Sequence, residues 1–79
     1  MNYLEERLLK IIELRKQNIG DLEIGTQFGL CVRSLGHYEY FVKMKISESS
    51  SYEDAAKKCY VSEDVIKKAV EFYKININF

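Results

Sequence analysis

Cys31, His37 and Cys59 are the thiol and imidazole side chains of this sequence, and both groups can carry catalysis or bind a transition metal. A cysteine and a histidine can act as nucleophile and base when they face each other, and both residue types bind zinc. Here they are six and then twenty-two positions apart, whereas structural zinc sites use closely spaced ligand pairs. Gly25 and Gly29 lie inside an alternating pattern and form no phosphate loop. We therefore predict no catalytic residue, no metal and no cofactor, and the chain is not expected to be an enzyme.

The cysteines also bear on the compartment. A chain of 79 residues in an oxidising compartment usually carries more than two cysteines. Cys59 lies among apolar helix positions and is interpreted as a core residue, although the count alone leaves a single disulfide open. Glu5 and Glu6 stand where a signal peptide has basic residues, and no apolar run is long enough to cross a membrane. The sequence thus predicts a cytoplasmic protein without a membrane partner.

Basic side chains form the second group of chemical interest, because they can neutralise phosphates. The chain has 12 Lys and Arg against 12 Asp and Glu, so its formal net charge is zero. This balance excludes a strongly basic nucleic-acid coat and an acidic DNA mimic, and it leaves a local basic face open. With 47% hydrophobic and 30% charged residues, the composition predicts one globular domain over residues 1–79.

Hydrophobic periodicity predicts the elements that position these side chains. Residues 2–18 have apolar positions at helical spacing and predict an amphipathic helix. The apolar arc of this helix is broad, which leaves open burial in the core or contact in a homodimer. A core this small returns little more free energy than the ordering of the chain costs, and we therefore expect a homodimer.

From residue 24 to residue 46 the pattern changes to alternation of apolar and polar residues, which is typical of half-buried strands. Gly36 can adopt the left-handed position of a hairpin loop. A β-hairpin over 24–46 places Arg33, Lys43 and Lys45 on its polar face.

Two short helices are predicted over residues 51–74, and Ser62 fits the N-cap of the second. Residues 75–79 alternate again and predict a terminal strand. The order helix, β-hairpin, helix, helix, strand predicts a small α+β domain with the helices on one face of a three-stranded sheet. No internal repeat is apparent.

The segment 52–73 resembles the helix-turn-helix of DNA-binding proteins. The resemblance depends on small, apolar and capping residues at the positions where two crossing helices need them: Ala56, Val61, Ser62, Ile66 and Ala69. Together with a hairpin, it resembles the winged-helix plan, although the hairpin precedes the helices here. The resemblance implies that the second helix lies against duplex DNA and that the hairpin acts as a wing.

This resemblance implies a small DNA-binding regulator, or an accessory protein of a mobile element, that binds double-stranded DNA as a homodimer. The candidate contacts are polar residues of the helix pair and of the hairpin: Lys57, Lys58, Ser62, Glu63, Asp64, Lys67, Lys68, Arg33, Lys43 and Lys45. The alternative is a protein-binding module, an inhibitor or adaptor of phage or plasmid origin, with no nucleic-acid role. The neutral net charge and the tyrosines, which are enriched at interfaces, favour this alternative.

Overall fold

A computed structural model describes residues 3–79, and this part of the chain forms five α-helices and no β-strand. The helices are α1 (Tyr3–Lys16), α2 (Asp21–Gln27), α3 (Val32–Ser47), α4 (Tyr52–Cys59) and α5 (Glu63–Tyr73). The predictions of an α+β fold, of a hairpin over 24–46 and of a strand over 75–79 are therefore wrong. Helices α4 and α5 lie where the sequence predicts a helix pair. The helix predicted over 2–18 corresponds to α1, and its predicted start at residue 2 lies outside the described residues.

The segment interpreted as the second strand forms α3, because its apolar residues also repeat at helical spacing. Leu35, Val42 and Ile46 are buried on one side of this helix. Glu39 is buried on the same side, and its charge hides the helical pattern in the sequence. Tyr40, which an alternating strand would bury beside Val42, is instead 65% exposed.

The segment interpreted as the first strand forms α2 and the turn that leads to α3. Gly29 has a left-handed backbone with φ +66°, and Leu30 donates its N–H to the Gly25 carbonyl at 2.8 Å. A Cβ atom on Gly25 would lie 2.5 Å from the carbonyl oxygen of Leu30, so this close approach requires glycine. Gly36, predicted as the left-handed residue of a hairpin loop, lies inside α3.

Helix α1 packs against two groups of buried side chains, which explains its broad apolar arc. Leu8 and Ile12 belong to a core cluster with residues of α3, α4 and α5. Ile11 and Leu14 belong to a second cluster that includes Leu35 of α3. The arc is therefore buried within the chain, which is the first of the two interpretations that the sequence leaves open.

Serine side chains cap the N-termini of α4 and α5. Ser51 Oγ accepts the N–H of Asp54 at 3.0 Å, and Ser62 Oγ accepts the N–H of Val65 at 3.4 Å. Each bond satisfies an amide of the first turn that has no partner within its helix. The N-cap predicted at Ser62 is confirmed.

The segment 75–79 has no regular secondary structure and packs over the helices. Ile75 and Ile77 pack against the first core cluster, and the ring of Phe79 meets the ring of Tyr52 edge to face at a centroid distance of 4.9 Å. The apolar alternation of this segment thus serves packing on helices and not strand pairing.

Candidate functional site

The helix pairs α2–α3 and α4–α5 have the same turn geometry, displaced by 31 positions. Gly29 and Tyr60 are the left-handed residues of the two turns, with φ of +66° and +61°. The next residue in each turn donates its N–H to a carbonyl in the preceding helix, that of Gly25 at 2.8 Å and that of Ala56 at 3.1 Å. A left-handed residue followed by such a bond is a common way to end a helix. The turn between α2 and α3 thus has the geometry of the turn between α4 and α5, and the turn between α1 and α2 has it as well, with φ +62° at Asn18.

The predicted contact residues on α4 are paired with acids of the same helix. Lys57 Nζ lies 3.4 Å from Glu53 Oε1, and Lys58 Nζ lies 3.3 Å from Asp54 Oδ2. A hydrogen bond from the backbone N–H of Ser50, together with Lys58, holds the pKa of Asp54 below its usual value. These exposed pairs add little stability, and they leave less positive charge for a phosphate.

The exposed start of α5 has mixed charge. Glu63 and Asp64 are exposed in its first turn, where they stabilise the helix dipole but repel phosphates. Lys67 Nζ lies 5.4 Å from the centroid of the Tyr52 ring. Lys68 is exposed beside a cavity of about 480 Å³ whose lining also includes acidic residues of α1 and α5. Lys67 thus lies against an aromatic ring, and Lys68 lies on a surface that also carries carboxylates.

Helix α3 presents a row of exposed side chains that contains no acidic residue. Its members follow one another at spacings of four, three, three and four positions, which place them on one side of a helix. We call this row the α3 stripe: Arg33, His37, Tyr40, Lys43 and Ser47. Lys45 lies apart from it, half-buried, with Nζ 5.7 Å from the Phe41 ring centroid. Because no hairpin forms, the predicted wing of Arg33, Lys43 and Lys45 is wrong, although the first two of these residues share the stripe.

Most residues of the first two turns of α3 are exposed: Val32, Arg33, Ser34, Gly36 and His37. Cys31 caps the helix, and its Sγ accepts the N–H of Ser34 at 3.5 Å and lies 3.2 Å from the Ser34 hydroxyl. These hydrogen bonds lower the pKa of the Cys31 thiol. A Cβ atom on Gly36 would meet nothing within 4 Å. A glycine inside a helix costs about 0.5–1 kcal/mol relative to alanine, and no contact within the described residues requires it here, so it leaves space for a close approach from outside.

A buried polar cluster holds the inner side of α3. Arg15 Nη2 donates to Glu39 Oε1 at 2.6 Å, and the Tyr73 hydroxyl donates to Glu39 Oε2 at 2.5 Å. Arg15 also forms an ion pair with Asp21 at the start of α2. The bond to Glu39 raises the pKa of Arg15, while burial and then the bond to Glu39 raise the pKa of Tyr73. One carboxylate thus connects α3 to α1 and α5.

A groove of about 370 Å³ lies between the second half of α3 and the end of α5. Two of its lining residues are lysines and none is acidic: Tyr40, Lys43, Met44, Ser47, Tyr73, Lys74 and Ile75. Lys43 Nζ lies 5.0 Å from the centroid of the Tyr73 ring. We call this feature the α3–α5 groove.

Sequence-based reasoning missed most of the stripe and the groove. A strand over this segment buries Tyr40, whereas α3 exposes it. The helical spacing of 33, 37, 40, 43 and 47 is present in the sequence, but alternation in the same segment indicated a strand. No feature of the neighbouring sequence indicates that residues after α5 line a groove with α3.

Residues 3–79 contain no group of three or more His, Cys, Asp or Glu that could hold a metal ion. None of the helices in this range has the length and apolar character needed to cross a membrane. Cys31 is exposed, Cys59 is buried, and both are free thiols. Comparison of the chain with protein-family models, curated protein sequences and solved structures gives no match.

Proposed function

We propose that the protein binds duplex DNA through α2 and α3, with the first two turns of α3 in the major groove. One observation carries the proposal: α3 follows α2 after a short turn, as the second helix of a helix-turn-helix does, and it begins with an exposed face free of acids. A recognition helix contacts base edges with its N-terminal residues. Helix α5 follows α4 after a similar short turn, but its own first helical turn carries Glu63 and Asp64.

The side chains at the start of α3 fit contacts with base pairs. The guanidinium of Arg33 can donate two hydrogen bonds to a guanine, and Val32, which is 43% exposed, can contact a thymine methyl group. His37 follows Arg33 by one helical turn and offers a further donor. Gly36 lets the helix backbone approach the groove floor closely.

The charge of this face predicts weak binding by one copy of the chain. Among Val32, Arg33, Gly36 and His37, only Arg33 carries a formal charge, so one copy releases few counterions. We expect two copies to bind two half-sites, as helix-turn-helix dimers do. Such a protein would act in the cytoplasm as a small regulator or as an accessory protein of a mobile element.

Two matched charge reversals test the proposal. We would measure fluorescence anisotropy of a pool of random-sequence duplexes with the wild type, Arg33→Glu and Lys68→Glu, at low and at physiological salt. Both substitutions replace an exposed cation by an acid. We expect Arg33→Glu to weaken binding about tenfold or more, since a good base contact is worth ~1–3 kcal/mol, and Lys68→Glu to have a much smaller effect.

The other outcomes are equally informative. A larger loss in Lys68→Glu than in Arg33→Glu would assign DNA recognition to α5. Equal losses in both variants would indicate attraction by overall charge and not by the start of α3. Absence of binding at low salt with micromolar protein would exclude the DNA function and favour the protein-binding module.

A further inference from the structure

We propose that the α3–α5 groove binds a partner protein through a segment in which an apolar side chain is flanked by carboxylates. This inference does not depend on the DNA-binding proposal, which uses the opposite end of α3. Arg33 and Lys43 are ten residues apart, and this separation corresponds to about 15 Å along a helix. Lys43, Met44 and Ser47 of the α3–α5 groove therefore lie beyond the first two turns of α3.

The lining of the groove can receive an apolar side chain. Met44, Tyr73 and Ile75 are half-buried in it, and Tyr40 stands exposed at its side. Tyrosine and methionine are enriched where proteins bind each other, and the flexible methionine side chain adapts to the shape of its partner. The volume of about 370 Å³ is near the lower end of the range of ligand pockets, ~300–1,000 Å³, and fits an anchoring side chain.

Lys43 and Lys74 make the groove positively charged and therefore favour a negatively charged segment of the partner. Neither forms an ion pair with a carboxylate of residues 3–79, in contrast to Lys57 and Lys58. The ring of Tyr73 lies 5.0 Å from Lys43 Nζ and attracts this ammonium group toward the groove. Because no acidic residue lines the groove, charge complementarity selects carboxylates on the partner.

The apolar lining favours a protein over a nucleic-acid backbone. A phosphate chain could pair with both lysines, but it offers hydrogen bonds and charge and no apolar group for Met44 and Ile75. The groove is also pre-organised, because the Tyr73 hydroxyl is bonded to Glu39 at 2.5 Å and the ring is held in place. Such rigidity lowers the entropic cost of binding.

A peptide selection tests the proposal with the full chain. We would select binders from a phage-displayed library of random peptides on the wild-type protein and measure their Kd against wild type, Lys43→Glu/Lys74→Glu and Lys67→Glu/Lys68→Glu. All four lysines are exposed, and both double variants change the net charge equally. We expect the selected peptides to carry Asp or Glu around an aromatic or aliphatic residue. Their affinity should fall about tenfold or more in the groove variant, as for close interfacial charge pairs, and far less in the control.

Several results would overturn this inference. Selected peptides without an enrichment of acids, or peptides that bind the two double variants equally, would show that the groove lysines do not recognise carboxylates. A loss of DNA binding that is larger in Lys43→Glu/Lys74→Glu than in the control would assign these lysines to phosphates. The selected peptides should bind Arg33→Glu as they bind wild type, which separates a failure of this inference from a failure of the DNA-binding proposal. Thermal unfolding followed by circular dichroism confirms that each variant is folded.

Discussion

The hydroxyl of Tyr73, at the end of α5, donates a 2.5 Å hydrogen bond to Oε2 of Glu39, in the middle of α3. Oε1 of the same carboxylate accepts Arg15 Nη2 from α1 at 2.6 Å. The Glu39 side chain is 8% exposed, so its carboxylate is hydrogen-bonded mainly to Arg15 and Tyr73 and not to water. The contact sets the orientation of α3, and both proposed binding surfaces include residues of that helix.

Removal of either partner of this contact should destabilise the fold. We expect Tyr73→Phe to lower the free energy of unfolding by about 2 kcal/mol, as for a hydrogen bond to a charged group. Glu39→Gln should cost about 3 kcal/mol, because it leaves Arg15 without its main buried partner. Urea unfolding of both variants at neutral pH measures these values. The double variant should lose less than the two single losses together, since they share one interaction. A Tyr73→Phe variant as stable as wild type would contradict the contact.

The stability of the protein should depend on alkaline pH through Tyr73. Burial and the bond to Glu39 raise the pKa of Tyr73 above its usual value of 10.0. Because the folded state then holds this proton more tightly than the unfolded state, the contribution of Tyr73 is complete below pH 10 and is lost as the pH rises beyond it. We expect the stability difference between wild type and Tyr73→Phe to shrink when urea unfolding is repeated above pH 10. Burial also raises the pKa of Tyr38 and Cys59, but wild type and Tyr73→Phe share these groups. A stability difference between the two proteins that stays constant with pH would exclude a role for Tyr73.

Alanine substitution at two glycines should have opposite effects. A Cβ atom on Gly25 would lie 2.5 Å from the Leu30 carbonyl oxygen, and we expect Gly25→Ala to destabilise the protein by about 1–3 kcal/mol. A Cβ atom on Gly36 would meet nothing within 4 Å, so Gly36→Ala should stabilise α3 by about 0.5–1 kcal/mol. Thermal and urea unfolding of the two variants measure the direction and size of each change in stability. A neutral Gly25→Ala variant would show that the turn between α2 and α3 is wider than described.

The two thiols should differ strongly in reactivity. Hydrogen bonds from Ser34 lower the pKa of the exposed Cys31, whereas burial raises the pKa of Cys59 to about 11. Because the thiolate is the reactive form, one equivalent of a disulfide reagent should react rapidly with the native protein. The second equivalent should react only after unfolding in urea. Cys31→Ser is the control, and rapid labelling of that variant would contradict the burial of Cys59.

Helices α1, α4 and α5 were predictable because their determinants are local. The apolar positions of α1 repeat at helical spacing, and Ser62 caps α5 through a bond to Val65, three residues away. The pairing of Lys57 with Glu53 and of Lys58 with Asp54 follows from the same local spacing. These interactions join residues within one turn of a helix, and a single sequence contains all the information about them.

Helices α2 and α3 were mispredicted because the same residues satisfy two periodicities. An alternating strand buries Tyr40 and Val42 on one face, whereas a helix buries Leu35 and Val42 and exposes Tyr40. The helix also buries Glu39. Because burying a charge costs free energy, the sequence alone makes this helix look unfavourable. Only the partners of Glu39, which come from other helices, offset that cost.

The sequence by itself determined the amphipathic helices, the N-cap at Ser62 and the set of basic side chains that could meet an anionic partner. The tertiary structure decided which of these side chains remain available. It arranged Arg33, Tyr40 and Lys43 along one exposed side of α3 and placed Lys43 beside the ring of Tyr73. The physical reason is the range of the interactions involved. Spacing and capping act within a few residues, whereas the burial of Glu39 and the groove beside Lys43 require helices distant in sequence to meet in space.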